Sequence, residues 1–368
     1  MPPVFYHKGK FPPTELLDWT QLVPLIGPTS AAIARYDGML GAIPNPEVLL
    51  SPVTTQEAVL SSKIEGIQTT VEEVLEFEAG RKPEIPARLE DFIEVLNCRS
   101  AIKHAEKMLE NLPLSGRVIR DTHSVLLSGV RGESKAPGEY RKIPNWIGPP
   151  GCTMENAKFV PPGADKLPDA IGSWEKFMHA DSQDLLVQLA IVHAEFEALH
   201  PFLDGNGRLG RMLIPLFLWQ KSLIRKPTFY ISAFFEANRE AYYEKLLAVS
   251  KDDNWTDWCR FFLNALQIQA ESNLRKTQDI LALYEDMKKR IVEITRSRHV
   301  ISALDWLFEK PIFMASQFSM FSGIPRTTAP RLLTALRKEG ILEVVVPAKG
   351  QQSALFAFKE LLRIAEGD

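Results

Sequence analysis

Apolar residues recur at helical spacing along most of the chain. The pattern is clear in "LEDFIEVLNCRSAIKHAEKMLENL" (89–112) and in "DLLVQLAIVHAEFEALH" (184–200), and it predicts amphipathic helices there. In "TTQEAVLSSKIEG", Thr54 and Glu57 have capping-box spacing and Gly66 supplies a stop. Thr70 and Glu73 form a second box before "VEEVLEFEAG", which ends at Gly80. Between Gly129 and Pro168 the periodicity breaks down. Gly and Pro crowd "GEYRKIPNWIGPPG" and "AKFVPPG", which predicts a hairpin or long loop inserted among helices.

The C-terminal stretch changes character. "RSRHVISALDWLFE" reads as one helix, and "ASQFSMFSGIPRTTAPRLLTALRKEG" as helix, turn at Gly323 and helix. "ILEVVVP" and "SALFAFK" flank "AKGQQ" as strand, turn and strand, giving the order of a winged helix. No internal repeat or low-complexity tract interrupts the chain. The expected organisation is mainly α: a helical region over 1–112, a helical core with a β-hairpin over 113–285, and a winged helix over 286–368.

Composition narrows the class without naming a function. The chain has 368 residues, 45% hydrophobic and 24% charged, with a net charge of −3. That balance gives no electrostatic reason for the whole chain to seek nucleic acid or anionic membrane. Cys98, Cys152 and Cys259 are far apart, which argues against a disulfide framework or zinc site and for a reducing compartment. The N-terminus lacks a signal-like apolar core, and the longest apolar run, "MLIPLFLW", is too short to span a bilayer, so a cytoplasmic protein is expected.

The densest chemistry is "HPFLDGNGRLGR", residues 200–211. A helix ends at His200 and another is expected to begin near Arg208, so Gly205-Asn206-Gly207 lies at a helix N-terminus. Free N–H groups and the positive dipole end make an anion site there, and glycines let the backbone curl around it. Arg208 and Arg211 are three apart and share a face that can grip a polyanion. Asp204 is a hard oxygen ligand suited to Mg²⁺ shared with phosphate oxygens. His200 is the group here that can take a proton near neutral pH. Singly these read as a helix end, a turn and a solvated face; together they specify nucleotide phosphate chemistry.

The stretch resembles the signature of the Fic family: His, any residue, Phe, any residue, Asp or Glu, then Gly-Asn-Gly-Arg, two residues and Arg. Every defined position matches. The resemblance implies a Fic-type helical core with a β-hairpin flap that transfers AMP from ATP to a hydroxyl side chain of a protein, releasing pyrophosphate. By position, His200 would be the general base, Asp204 the Mg²⁺ ligand, and Gly205, Asn206 and Gly207 the phosphate turn. Arg208 and Arg211 would hold the distal phosphates, with Leu209 and Gly210 completing the ATP-binding segment. A phosphotransferase branch carries Lys where this chain has Gly207, which favours adenylyl transfer; a phosphocholine-using branch stays open on the motif alone. Tyr242 and Tyr243 match a nucleotide-contacting tyrosine pair, with core aromatics as the equal alternative. Ile147 and Gly148 would be the working edge of the flap, which holds a target segment by strand addition. His193 and Phe196 are expected in the core.

Upstream, "SSKIEG" resembles the inhibitory motif of the family through Ser61, Glu65 and Gly66. The resemblance implies a bacterial, self-inhibited enzyme whose Glu65 pairs with Arg211 in the place of the γ-phosphate. A hydrolase that removes AMP and a nucleotide-sensing transcriptional regulator are the competing functions. The target protein is unnamed and oligomeric state is open, a homodimer included. For the winged helix, protein binding or dimerisation is favoured over DNA, because the segment as a whole is only weakly basic and no Arg-rich wing follows.

Overall fold

The computed structural model describes residues 2–7, 11–43, 45–83 and 85–367. It is mainly helical, and the chain divides into two compact units. The first comprises residues 1–37, 60–66 and 97–271; the second comprises 38–59, 67–96 and 272–368. Residues 1–112 are shared between them. Among the described residues no helix is long and apolar enough to cross a membrane.

The helices in chain order are α1 (Trp19–Ala42), α2 (Pro46–Leu49), α3 (Ser51–Ile64), α4 (Val71–Glu78), α5 (Leu89–Leu109), α6 (Gly116–Leu126), α7 (Leu167–His179) and α8 (Leu185–Leu199). They continue with α9 (Asn206–Gln220), α10 (Ser232–Ala237), α11 (Arg239–Asp252), α12 (Trp255–Thr295), α13 (Val300–Glu309), α14 (Ala315–Phe321), α15 (Ala329–Lys338) and α16 (Lys359–Glu366). The strands are β1 (Val4–Phe5), β2 (Phe159–Val160), β3 (Ile312–Met314), β4 (Glu343–Val346) and β5 (Leu355–Ala357).

In the first unit α8 and α9 form the centre, and both are almost wholly buried. That is why "LLVQLAIVHAEFEAL" carries apolar residues all round rather than on one stripe. Trp174 of α7 and Trp258 of α12 close over α8, each donating its indole N–H to an α8 carbonyl, Val192 and Ala190 respectively, at 2.8 and 2.7 Å. A parallel pair joins β1 to β2, and Ile147 bridges to Phe159 on β2, so the expected hairpin is present as a short flap.

The second unit holds α13 to α16 around an antiparallel sheet of order β3-β5-β4. Strand β3, which periodicity missed because it is three residues long, supplies the sheet's third member. The Thr70–Glu73 box caps α4 as expected. The Thr54–Glu57 box does not form. Helix α3 already begins at Ser51 with Pro52 in its first turn, and Thr54 donates its hydroxyl to the Leu50 carbonyl instead.

Candidate active site

Helix α8 starts on Asp184, whose Oδ1 accepts from the amides of Leu186 and Val187 at 2.9 Å, and it delivers His200 as its C-cap. His200 is left-handed, with φ 45° and ψ 60°. A β-carbon there costs about 1–3 kcal/mol and persists only where neighbours enforce it. Arg141 and Asn145 of the flap region do so: Arg141 Nε and Asn145 Nδ2 donate to the His200 carbonyl at 2.9 and 3.2 Å. Arg141 Nη2 also donates to the carbonyls of Pro162 and Leu199. Burial pushes the Arg141 pKa down to about 10. Its guanidinium acts as a clamp on main-chain carbonyls, a role the sequence alone does not signal.

The turn after His200 is held from inside. The Asn206 side chain accepts from the Phe202 amide and donates to the Phe202 carbonyl, both at 2.9 Å. This pairing turns the Asn206 side chain onto the backbone of its own turn. His123 of α6 stacks on Phe202, with ring centroids 3.8 Å apart. Its Nδ1 accepts from the Gly138 amide at 2.9 Å, which leaves the proton on Nε2, 3.0 Å from the Asp204 carbonyl. Burial drives the His123 pKa down to about 4, so this ring is neutral. Asp204 keeps its carboxylate partly in solvent, 43% exposed, with Oδ1 3.7 Å from Arg208.

Gly205, with φ 74°, caps α9 without a side-chain bond, and the first turn of α9 holds no acid. The Leu209 amide bonds to the Gly205 carbonyl and the Gly205 amide to the Asp204 carboxylate, so the amides of Asn206 and Gly207 stand ahead of the first main-chain bond of α9. The carboxylate of Glu65 stands over this turn. A β-carbon built on Gly207 would lie 2.2 Å from Glu65 Oε1, so glycine is what permits the approach. Arg211 Nη2 donates to Glu65 Oε1 at 2.8 Å, and Arg211 also donates to the Ser61 hydroxyl and carbonyl at 2.9 and 2.7 Å. Arg211 Nη1 is buried without a hydrogen-bond partner among the described residues. Burial works to raise the Glu65 pKa, but Arg211 first, with Arg208 and His200, holds it below the ordinary range. Gly66 ends the segment at φ 98°.

His200 is also made neutral. Burial lowers its pKa to about 4, against a smaller opposing pull from Glu65. Glu197, one turn earlier on α8, was not anticipated. Burial raises its carboxyl to about 8, Arg211 opposing and Glu65 reinforcing, and its Oε1 has no partner among the described residues. It presses so closely on Gly210 that a β-carbon there would lie 2.1 Å away.

Other expected contacts resolve differently. Tyr242 is 1% exposed, with its hydroxyl 2.9 Å from His193 Nε2 and its ring among Phe235, Trp258 and Tyr243. It is a core aromatic, whereas Tyr243 is 40% exposed. Leu209 is fully buried and its amide is taken, so neither its side chain nor its N–H is open to a nucleotide. Ile147 has both main-chain groups bonded to Lys158 and Phe159. An added strand would therefore pair with Trp146 and Gly148, whose groups point to the other edge. His193 and Phe196 lie in the core as expected. Among the described residues no set of three or more His, Cys, Asp or Glu side chains could hold a metal by itself.

An imidazole of depressed pKa, a helix N-terminus and two buried arginines thus lie within residues 200–211, a class of site that suits an anionic ligand. Comparison with known proteins gives the class its family. The profile "Fic/DOC family N-terminal" matches residues 23–107 and "Fic/DOC family" matches 113–218; over these residues the chain belongs to the Fic/DOC family. It is 28% identical over 200 residues to a probable protein adenylyltransferase of Aquifex aeolicus, covering 53% of this chain and 58% of that protein. It is 21% identical over 196 residues to the protein adenylyltransferase Fic of Drosophila grimshawi, covering 52% of this chain and 37% of that one. Both matches reach less than two thirds of the relative's length. A Fic family protein of Desulfovibrio desulfuricans shares the fold, with TM-score 0.58 and 19% identity over 92% of this chain and 95% of that one. A Fic domain-containing signaling protein of Bacteroides thetaiotaomicron does so at TM-score 0.55 and 17% identity, over 69% and 96%.

Proposed function

We propose that the chain is a protein adenylyltransferase that moves AMP from ATP to a hydroxyl side chain of a protein, with Glu65 restraining it. One observation carries the reading. The Glu65 carboxylate stands over Gly207 in the first turn of α9 and is paired with Arg211 at 2.8 Å. An anion already binds there, and it belongs to the chain itself.

With Glu65 displaced, Arg211 and Arg208 take the distal phosphates and the amides at the start of α9 take oxygens nearer the reacting phosphorus. Neutral His200 accepts the proton of the incoming hydroxyl. The hydroxyl oxygen bonds to the α-phosphorus, the bond to the bridging oxygen breaks, and pyrophosphate leaves. Asp204 suits a Mg²⁺ shared with the phosphates: it offers one half-exposed carboxylate, and this metal keeps most of its ligands from phosphate and water. Bound there, it would neutralise phosphate charge. The flap would hold the target segment through Trp146 and Gly148.

The test is label incorporation from α-labelled ATP with Mg²⁺, read by intact mass of the protein itself. Glu65→Gly should incorporate more AMP than wild type, mainly through turnover, because the gain is in orientation of the α-phosphate. Equal incorporation would remove the restraint and leave the transferase reading standing. Release of AMP from pre-modified protein by wild type, lost in Glu65→Gly, would assign Glu65 to hydrolysis instead.

A further inference from the structure

We propose that the C-terminal part of the second unit binds double-stranded DNA, with α15 entering the major groove. The sequence favours protein binding because the segment as a whole is only weakly basic and no Arg-rich wing follows. Its fold separates the charges. From Lys310 to Lys338 there is no Asp or Glu, and over 310–359 there are seven basic residues against Glu339 and Glu343. Of the neighbouring acids, Asp305 and Glu309 lie on α13 and Glu360 and Glu366 on α16. Those helices are tied to other parts of the second unit: Ser51 donates to the Glu309 carbonyl, Tyr284 to Asp305, and Gln56 and Lys276 to the carbonyls of Glu366 and Ala365.

Helix α15 buries Ala329, Leu332, Leu333 and Leu336. Its other face presents Arg331, Thr334 and Lys338 at i, i+3 and i+7, with Arg337 beside them and Arg326 just ahead, all exposed. Among the described residues these four cations make no salt bridge, whereas Lys359, Arg81 and Arg88 of the same unit are paired. An unpaired cationic stripe of this length, about two turns or 10 Å, matches the width of one major groove, about 12 Å. The β4–β5 connection adds Lys349, Gln351 and Gln352 with no acid between Val344 and Lys359, a polar wing suited to backbone contact. Charge complementarity therefore selects a polyanion, and a helix projecting from a three-stranded sheet selects a groove wide enough to admit it.

The experiment uses the full chain and a short fluorescein-labelled duplex of mixed sequence, read by anisotropy across a potassium chloride series. Binding should weaken with salt at a log–log slope of about −3 to −4, as expected for three or four phosphate contacts. The double variant Arg331→Glu/Lys338→Glu should bind at least about tenfold more weakly at low salt and show a slope shallower by about 2. Both side chains are exposed, so the variant's thermal midpoint and its self-adenylylation should match wild type, which separates this reading from the transferase proposal. A duplex that fails to bind at low salt, or that the charge-reversed variant binds as wild type does, overturns the inference. So does a Phe321→Ser variant, altered outside the cationic stripe at a side chain 70% exposed, that loses as much affinity as the charge reversal.

Discussion

As the proposed base, His200 needs to be neutral, and it is held in an unfavourable backbone conformation; different neighbours secure each condition. Burial supplies the first; Arg141 and Asn145, gripping its carbonyl, supply the second. His200→Ala should lower label incorporation about 10²–10⁴-fold while ATP affinity, measured by calorimetry, stays close to wild type, because a base acts in the transition state. Retained incorporation would take His200 out of the mechanism. Arg211→Ala should not reproduce the gain expected of Glu65→Gly, although it breaks the same ion pair, because it also removes a proposed phosphate ligand. The double variant should match Arg211→Ala alone, and an additive result would show that Glu65 does not act through Arg211. At this scale the sequence was most informative, since one twelve-residue stretch holds the imidazole, the helix start and both arginines. It was silent on Arg141, His123 and Glu197. The first two act on backbone 59 and 81 residues away, and the third looks like a polar position on an amphipathic helix.

Elements explain how the first unit holds its flap beside α8. The N-terminal segment donates Val4 N–H to the Lys158 carbonyl and Tyr6 N–H to the Val160 carbonyl, while Ile147 pairs with the same strand through Phe159. Next to β1, Tyr6 and His7 reach the back of α8. Tyr6 donates to Glu195 Oε1 at 2.6 Å, and His7 Nε2 lies 2.8 Å from Glu195 Oε2 with Nδ1 2.8 Å from the Ser250 hydroxyl. Glu195 and His7 are 1% and 4% exposed, so the cluster is a buried polar fastening. His7→Ala should cost about 1–3 kcal/mol in urea unfolding, the penalty of stranding a buried hydrogen-bonding group. Faster hydrogen exchange at the Val4, Tyr6 and Phe159 amides should accompany it; unchanged exchange would mean that the fastening does not hold these strands. None of this was legible beforehand. A two-residue strand has no periodicity, and the partners are 188 residues apart. Helix α9 was legible because its start is written in glycines, though it begins at Asn206 rather than near Arg208.

For the whole molecule, the buried titratable groups of the first unit predict how stability depends on pH. His123, His193 and His200 are pushed by burial to about 4, 3 and 4, well below the ordinary histidine value of 6.5. Between those values and 6.5 the unfolded chain binds protons that the folded chain refuses, so stability rises with pH across that window and is lost on acidification. Glu197 works in the opposite sense. Burial raises it from 4.5 to about 8, so between these values the folded chain keeps a proton that the unfolded chain has released, and stability falls as pH rises. Below about 6.5 the three histidines outweigh the single glutamic acid; above it only Glu197 still differs between the two states, so the maximum should fall near pH 6.5. Glu197→Gln keeps the shape and removes the titration. Urea unfolding across pH 5 to 8 should therefore show wild type losing stability from 6.5 upward and the variant holding level, with their acidic limbs falling together, the variant's more steeply. A wild-type curve that keeps rising to pH 8 would mean that Glu197 is already ionised beside Arg211. The carboxyl would then be a second counter-ion to the arginine that Glu65 holds, and releasing Glu65 would no longer leave Arg211 free for phosphate.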